Sequence, residues 1–362
     1  MPSRARLQMS LAIEPLPLKA PFAIAGHRFE AMPALVATLS DDDGHRGRGE
    51  ACGVYYLDDH PASMHAALEA RREAIEAGID RAALQTLLPP GGARNALDCA
   101  LWELQAQRER RPVWALAGLA PPRPLPTAFT LGADAPAQVA AGARALAQAR
   151  LLKLKLDGDA ELDIARIVAA RAARPDVRLM VDANQAYTLQ RIAPLIAALA
   201  DHRVELLEQP FARGREADLD ALDCPVAVAA DESVQGLDEL DALAGRCDFV
   251  NLKLDKCGGL TEALAMAARA RTLGLRCMVG NMLGTSWAAA PAFALGQLCE
   301  LVDLDGPSFI QTDRSPAVVY RDGLIHCPDE VWGGAGGVAS RSASRSAADA
   351  AASTPPTQVP RP

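Results

Sequence analysis

Leu151-Leu152-Lys153-Leu154-Lys155-Leu156 sets four leucines around two lysines. On an extended chain, residues two apart point the same way, so Lys153 and Lys155 share one face and Leu152, Leu154 and Leu156 the other. A lysine face turned outward would meet the apolar backs of packed helices, so the pair is expected to point inward. Runs of the same kind, short and rich in β-formers, precede it at 127–131 and follow it at 177–182, 204–208, 226–231, 248–254, 276–280 and 301–305. Between central residues 153, 180, 206, 229, 252, 278 and 302 the steps are 27, 26, 23, 23, 26 and 24. Ala/Leu-rich amphipathic stretches lie between them, as at 261–273, where Ala263, Leu264, Ala267 and Ala270 can share a helix face. Eight strands alternating with seven helices predict an α/β fold, a modified (β/α)7β TIM-type barrel, because no amphipathic helix follows the eighth run. No Gly-rich phosphate loop follows the first run, which disfavours an open doubly wound sheet.

The chain has 362 residues, more than such a barrel needs. Strand-like runs at 5–18, 33–41 and 46–52 precede helical stretches at 61–78 and 93–110, so residues 1–121 read as an α+β capping unit. Three prolines among the five residues Pro122 to Pro126 predict a linker into a barrel over 122–305. Residues 306–332 are expected to return to the cap, and the Gly/Ala/Ser/Pro-rich stretch 333–362 to form a disordered tail. A net charge of −8 and 4% aromatics argue against nucleic acid and against polybasic membrane attachment. The eight cysteines never form a C-x-x-C pair and read as buried hydrophobes in a reducing compartment. The uncharged run from Cys277 to Cys299 has bilayer length, but Asn281, Thr285, Ser286, Pro291 and Gln297 make it a strand, a turn and a buried helix. No signal peptide is expected in the first residues, so the chain is expected to be cytoplasmic, without a membrane partner, and compatible with a homo-oligomer.

Charges interrupt the apolar runs at their carboxyl ends, where barrels carry their active sites. Asp182, Glu208 and Asp231 close three consecutive runs. Such neighbours repel and shift their pKa values upward unless a cation neutralises them. Hard carboxylate oxygens suit Mg²⁺, with Mn²⁺ as a substitute. Lys153 and Lys155, about 6.6 Å apart, repel by roughly 2.5 kcal/mol at an effective dielectric near 20, enough to bring one amine towards general-base range. Lys253 on the sixth run lies across the barrel from the second. Two lysines facing each other over a metal would stand on opposite faces of a planar enediolate, one removing the α-proton of a metal-bound carboxylate and the other returning a proton to the other face. The same parts could serve a β-elimination or a cycloisomerisation.

These residues resemble the muconate-lactonizing subgroup of the enolase superfamily over roughly 10–330, with the Lys-x-Lys pair, Asp182, Glu208, Asp231 and Lys253 in family order. The resemblance implies an α+β cap over a (β/α)7β barrel. Arg94-Asn95-Ala96-Leu97-Asp98-Cys99-Ala100-Leu101-Trp102 is similar to the family's first long cap helix. Within the subgroup, Val250-Asn251-Leu252-Lys253-Leu254-Asp255-Lys256-Cys257-Gly258-Gly259-Leu260 and Val302-Asp303-Leu304-Asp305-Gly306-Pro307 are most similar to the L-Ala-D/L-Glu (dipeptide) epimerases. That likeness implies Lys155 and Lys253 as the two bases, Asp303 and Asp305 holding the dipeptide ammonium, and Thr130, Lys153 and Asn281 touching substrate. In the first lid loop, Ile24-Ala25-Gly26-His27-Arg28, Arg28 aligns only with a shift to the arginine that holds a side-chain carboxylate. The second lid, Gly53-Val54-Tyr55-Tyr56-Leu57-Asp58-Asp59, departs from the patterns of the glutamate enzymes, and position 281 is Asn where Cys or Ser is common.

The expected activity is therefore Mg²⁺-dependent epimerisation of a small-molecule dipeptide, L-Ala-D-Glu/L-Ala-L-Glu in murein peptide metabolism. The nearest alternatives are an o-succinylbenzoate synthase or N-acylamino acid racemase and a muconate cycloisomerase, whose substrates lack a free ammonium group. The alternative of another class is a non-catalytic metal-binding scaffold.

Overall fold

The computed structural model describes residues 6–24 and 27–336, the side chains of 22–28 excepted. In the cap, β1 (Leu7–Glu14) pairs antiparallel with β4 (Ala34–Asp41), and β4 with β5 (Arg46–Ala51). The hairpin β2 (Pro17–Ile24) and β3 (His27–Ala31) stands apart. The single strand expected at 5–18 is thus two, broken where Pro15 and Pro17 remove backbone donors. Likewise the helix expected at 61–78 divides into α1 (Pro61–Glu69) and α2 (Arg72–Glu76), followed by α3 (Arg81–Leu87). The long helix α4 (Gly92–Glu109) lies across β5 and is buried over most of its length. A single turn, α5 (Val113–Leu116), ends the unit.

The Pro122–Pro126 stretch is more than a linker. Its β6 (Leu125–Pro126) pairs with β16 (Leu324–His326), which also pairs with β15 (Val319–Arg321). Eight parallel strands follow in sequence order: β7 (Ala128–Leu131), β8 (Leu151–Lys155), β9 (Arg178–Asp182), β10 (Val204–Glu208), β11 (Ala227–Ala230), β12 (Phe249–Leu252), β13 (Arg276–Gly280) and β14 (Leu301–Asp303). Connecting them are α6 (Pro136–Ala145), α7 (Ala160–Ala173), α8 (Ala193–Asp201), α9 (Leu237–Leu243), α10 (Leu254–Cys257) with α11 (Leu260–Thr272), and α12 (Ser286–Gly296). The fourth connection departs from the expected helix. Between Pro210 and Pro225 it forms only a 3-10 turn, Glu216–Ala221. The 277–299 run is a strand, a turn and a buried helix as expected, and no helix among the described residues is long and apolar enough to cross a membrane.

Period-two alternation places the site. Ala128, Leu151, Met180, Leu206, Ala229, Phe249, Met278 and Leu301, one from each strand, pack together inside the barrel. Two or four residues further on, the same face carries Thr130, Lys153, Lys155, Asp182, Glu208, Asp231, Lys253, Asp303 and Asp305. The floor is apolar and the mouth charged. The opposite faces, among them Leu152, Leu154, Val181, Val250, Leu252 and Val279, pack against the helices. Between β14 and β7 the barrel closes without a strand ladder. There the Thr127 hydroxyl accepts from Leu304 N (3.0 Å), and the Asp305 carboxylate from Thr130 N (2.6 Å).

Candidate active site at the barrel mouth

Register brings the acids together. Lys155 aligns with Asp182, and Asp182 with Glu208. One oxygen from each of Asp182, Glu208 and Asp231 lies within 4.8 Å of the others, and all three residues are buried. An all-oxygen, carboxylate-only donor set of this spacing suits a hard divalent cation such as Mg²⁺.

Lysines surround the trio. Lys153 Nζ reaches Glu208 (2.7 Å), Asp303 (2.8 Å) and Asp182 (3.1 Å). Lys155 Nζ lies 2.6 Å from Asp182 Oδ2, and Lys253 Nζ 2.6 Å from Asp231 Oδ2. Lys253 stands just past β12 as the cap residue of α10, a position made reachable by Gly280, where a Cβ would lie 3.0 Å from Lys253 Cε and 2.8 Å from Asn251 Oδ1. With eight strands, the second and sixth are opposite, so Lys155 and Lys253 enter one cleft from facing sides.

The electrostatics divide the acids. Burial pushes Asp182 up, but Lys155 and Lys153 more than reverse this and hold it down to about 2. Against the same burial, Lys253, Lys256 and Lys153 hold Asp231 well below the usual range. Glu208 goes the other way, pushed up to about 8 by burial and by Asp182. The repulsion expected between Lys153 and Lys155 does not depress Lys153. Burial lowers it, yet Asp303, Glu208 and Asp182 raise it well above the ordinary lysine value, because three carboxylates outweigh one ammonium. Lys253 is likewise raised, with Asp231 overcoming burial.

Thr130, Asn281, Asp303 and Asp305 line the same cleft, of about 660 Å³ including its open mouth. Asp303 Oδ1 and Asn281 Nδ2 are buried without a hydrogen-bond partner. Burial, with Asp303 beside it, pushes Asp305 up to about 7. Phe29, Met32, Tyr55 and Tyr56 from the cap, with Met282, Leu283 and Phe309, supply apolar walls. The Arg28 side chain lies outside the described residues, as does most of the 333–362 tail.

Several further residues hold the site in place, and not all of them are visible to strand periodicity. Lys256 Nζ donates to Asp231 Oδ1 (2.6 Å), Asp231 O (2.5 Å) and Asn251 O (2.9 Å). Gln209 Oε1 accepts from Asp231 N (2.9 Å) and Ser233 N (3.1 Å), and Asn251 Nδ2 donates to Glu208 Oε1 (2.8 Å). Glu232 also lines the cleft and is pushed up to about 7 by burial and by Asp231. Period-two counting finds Asn251, but Lys256 sits on a helix and Gln209 past a strand end.

A roofed parallel barrel with acids and lysines converging at its carboxyl-end mouth defines an enzyme of the (β/α)-barrel class. Residues 137–336 match the family described as enolase C-terminal domain-like, and residues 7–118 the mandelate racemase/muconate lactonizing enzyme N-terminal domain. The chain belongs to this enolase-superfamily group. It is 41% identical over 316 residues to the L-Ala-D/L-Glu epimerase of Escherichia coli K12, covering 86% of this chain and 97% of that one. It is 39% identical over 252 residues to an N-acetyl-D-glutamate racemase of a Pseudoalteromonas species, 68% of this chain and 78% of that one. Among solved structures, a dipeptide epimerase from Methylococcus capsulatus complexed with Mg and L-Arg-D-Lys superposes with a TM-score of 0.83 at 31% identity, over 89% of this chain and 97% of that chain.

Proposed function

We propose that this chain is a cytoplasmic dipeptide epimerase that inverts the carbon next to the C-terminal carboxylate by 1,1-proton transfer at that carbon through a metal-stabilised enediolate, with Lys155 and Lys253 as the two bases. The observation that carries the reading is the entry of these two amines into one cleft from opposite strands, over a buried carboxylate trio. Asp182, Glu208 and Asp231 would hold Mg²⁺, and the same donors accept Mn²⁺. Bound there, the cation would draw negative charge from the substrate carboxylate and acidify the adjacent α-proton. One lysine takes that proton from one face of the carbon and the other delivers a proton to the opposite face. Asp303 and Asp305 receive the dipeptide ammonium, a role supported by the unpaired, buried Asp303 Oδ1. Thr130, Lys153 and Asn281 position the remaining polar groups, the Asn281 amide offering an unpaired donor.

The proposed substrate pair is L-Ala-D-Glu/L-Ala-L-Glu from murein peptides, with Arg28 of the first lid loop reaching the side-chain carboxylate. With this reading goes the division of the chain into a cap (1–121), a barrel (122–305), a return segment (306–332) and a tail (333–362). The bridge of Ile310 to Leu18 and the bond from Trp332 Nε1 to Arg48 O (2.8 Å) support the return.

Likeness to a racemase of N-acetylated glutamate favours one second reading, in which the substrate has no ammonium. Both are tested by incubating the protein with Mg²⁺ in D₂O with a dipeptide panel and N-acetylglutamate. The proposal expects α-deuterium uptake and epimerisation of L-Ala-L-Glu; uptake by N-acetylglutamate alone would establish the second reading instead.

A further inference from the structure

The two lysines are held by different parts of the molecule. Lys155 lies within β8 and bonds to Asp182 of the next strand; among the described residues no cap group bonds to that strand. Lys253 opens a segment that the cap grips at three points. Asp255 Oδ1 accepts from Cys52 N (3.0 Å) and Gly53 N (2.9 Å), where the chain leaves β5 for the second lid. Arg94 of α4 donates to Cys257 O (2.6 Å) and Gly258 O (3.3 Å). Asp98, one helical turn further on, accepts from Thr261 N (2.9 Å) and Thr261 Oγ1 (2.6 Å). Gly258 adopts φ +83, and a Cβ there would lie 2.3 Å from Arg94 Nε, so the fit leaves no room for a side chain.

Asp255 has the most direct line to the chemistry. It is two residues from Lys253, and its two backbone partners begin the lid that places Tyr55 and Tyr56 in the cleft wall. It is buried, and no cation pairs with it among the described residues. Burial pushes its carboxyl up to about 7. A buried acid held only by backbone donors is a costly way to fill space, and its position here ties the lid to one base and not the other.

We propose that Asp255 is a positioning residue through which the cap segment Gly53–Asp59 fixes the placement of Lys253, so that the cap governs one of the two proton transfers selectively. This rests on the two-lysine epimerase reading. The test measures α-deuterium uptake from D₂O by L-Ala-L-Glu and L-Ala-D-Glu in two backgrounds. Lys155→Ala retains only exchange through Lys253, and Lys253→Ala only exchange through Lys155. Asp255→Ala is expected to cut the Lys253-dependent exchange about tenfold or more while changing the Lys155-dependent exchange less than about threefold, a sub-ångström misplacement being enough for the larger loss. Asp255→Asn, which keeps the accepting oxygen, is expected to restore most of the lost exchange. Asp255→Glu, which moves that oxygen by one methylene, should show the same selective loss and serves if the alanine variant does not fold. Equal loss in both backgrounds, with Asn giving no rescue, overturns the inference and leaves the epimerase reading standing. No deuterium uptake by the unaltered protein defeats that reading, and the inference with it.

Discussion

At the scale of single residues, the side chains proposed as bases and metal ligands are those that period two carries from the apolar floor to the mouth. This is why so much of the site is legible in the sequence. A charge in an otherwise apolar strand is costly unless it meets a partner, so Lys153, Lys155, Asp182 and Glu208 announce themselves. Lys256 and Gln209 do not, because a helix and a strand exit give no alternation to read. Two predictions belong here. Asp303→Asn removes the charge proposed to meet the ammonium, so kcat/KM for L-Ala-L-Glu should fall about 100-fold or more, while turnover of an N-acylated amino acid should not. Steady-state kinetics on both substrates checks this, and parallel losses would remove the ammonium role. Gly280→Ala places a methyl 3.0 Å from Lys253 Cε and 2.8 Å from the buried Asn251 Oδ1, and should depress epimerisation about tenfold or more while costing about 1–3 kcal/mol of stability. Activity and unfolding measured on the same preparation decide it.

Among elements, the strands were readable and their ends less so. Runs at 151–156 and 204–208 meet β8 and β10 almost residue for residue, since buried parallel strands leave continuous apolar runs. The 3-10 turn of the fourth connection and the break within 61–78 replace expected helices, because short turns between prolines or polar breaks carry no period. The β7–β14 seam was equally invisible, being held by a hydroxyl and a carboxylate instead of a ladder. Thr127→Val keeps the shape but leaves the buried Leu304 N without its acceptor, which should destabilise the fold by about 1–3 kcal/mol. Urea unfolding measures this directly; a difference indistinguishable from zero would mean that the hydroxyl does not stabilise the seam.

For the whole molecule, the net charge of −8 matters less than the meeting of three buried carboxylates, Asp182, Glu208 and Asp231, at one mouth. Chelation should therefore abolish turnover and added Mg²⁺ restore it. Saturating Mg²⁺ should also raise the unfolding temperature, because a ligand bound only by the folded state stabilises it by mass action. Glu208→Gln should lose most of that increase. The cap grips the Lys253 segment and the barrel alone holds Lys155, so the two halves of the molecule meet in the two proposed proton transfers. Their separability is the most direct test of a two-base epimerase. Lys155→Ala, incubated with Mg²⁺ in D₂O, should exchange the α-proton of one dipeptide epimer through Lys253 without converting it to the other, and Lys253→Ala should do the same for the opposite epimer. Full interconversion by either variant would contradict the mechanism.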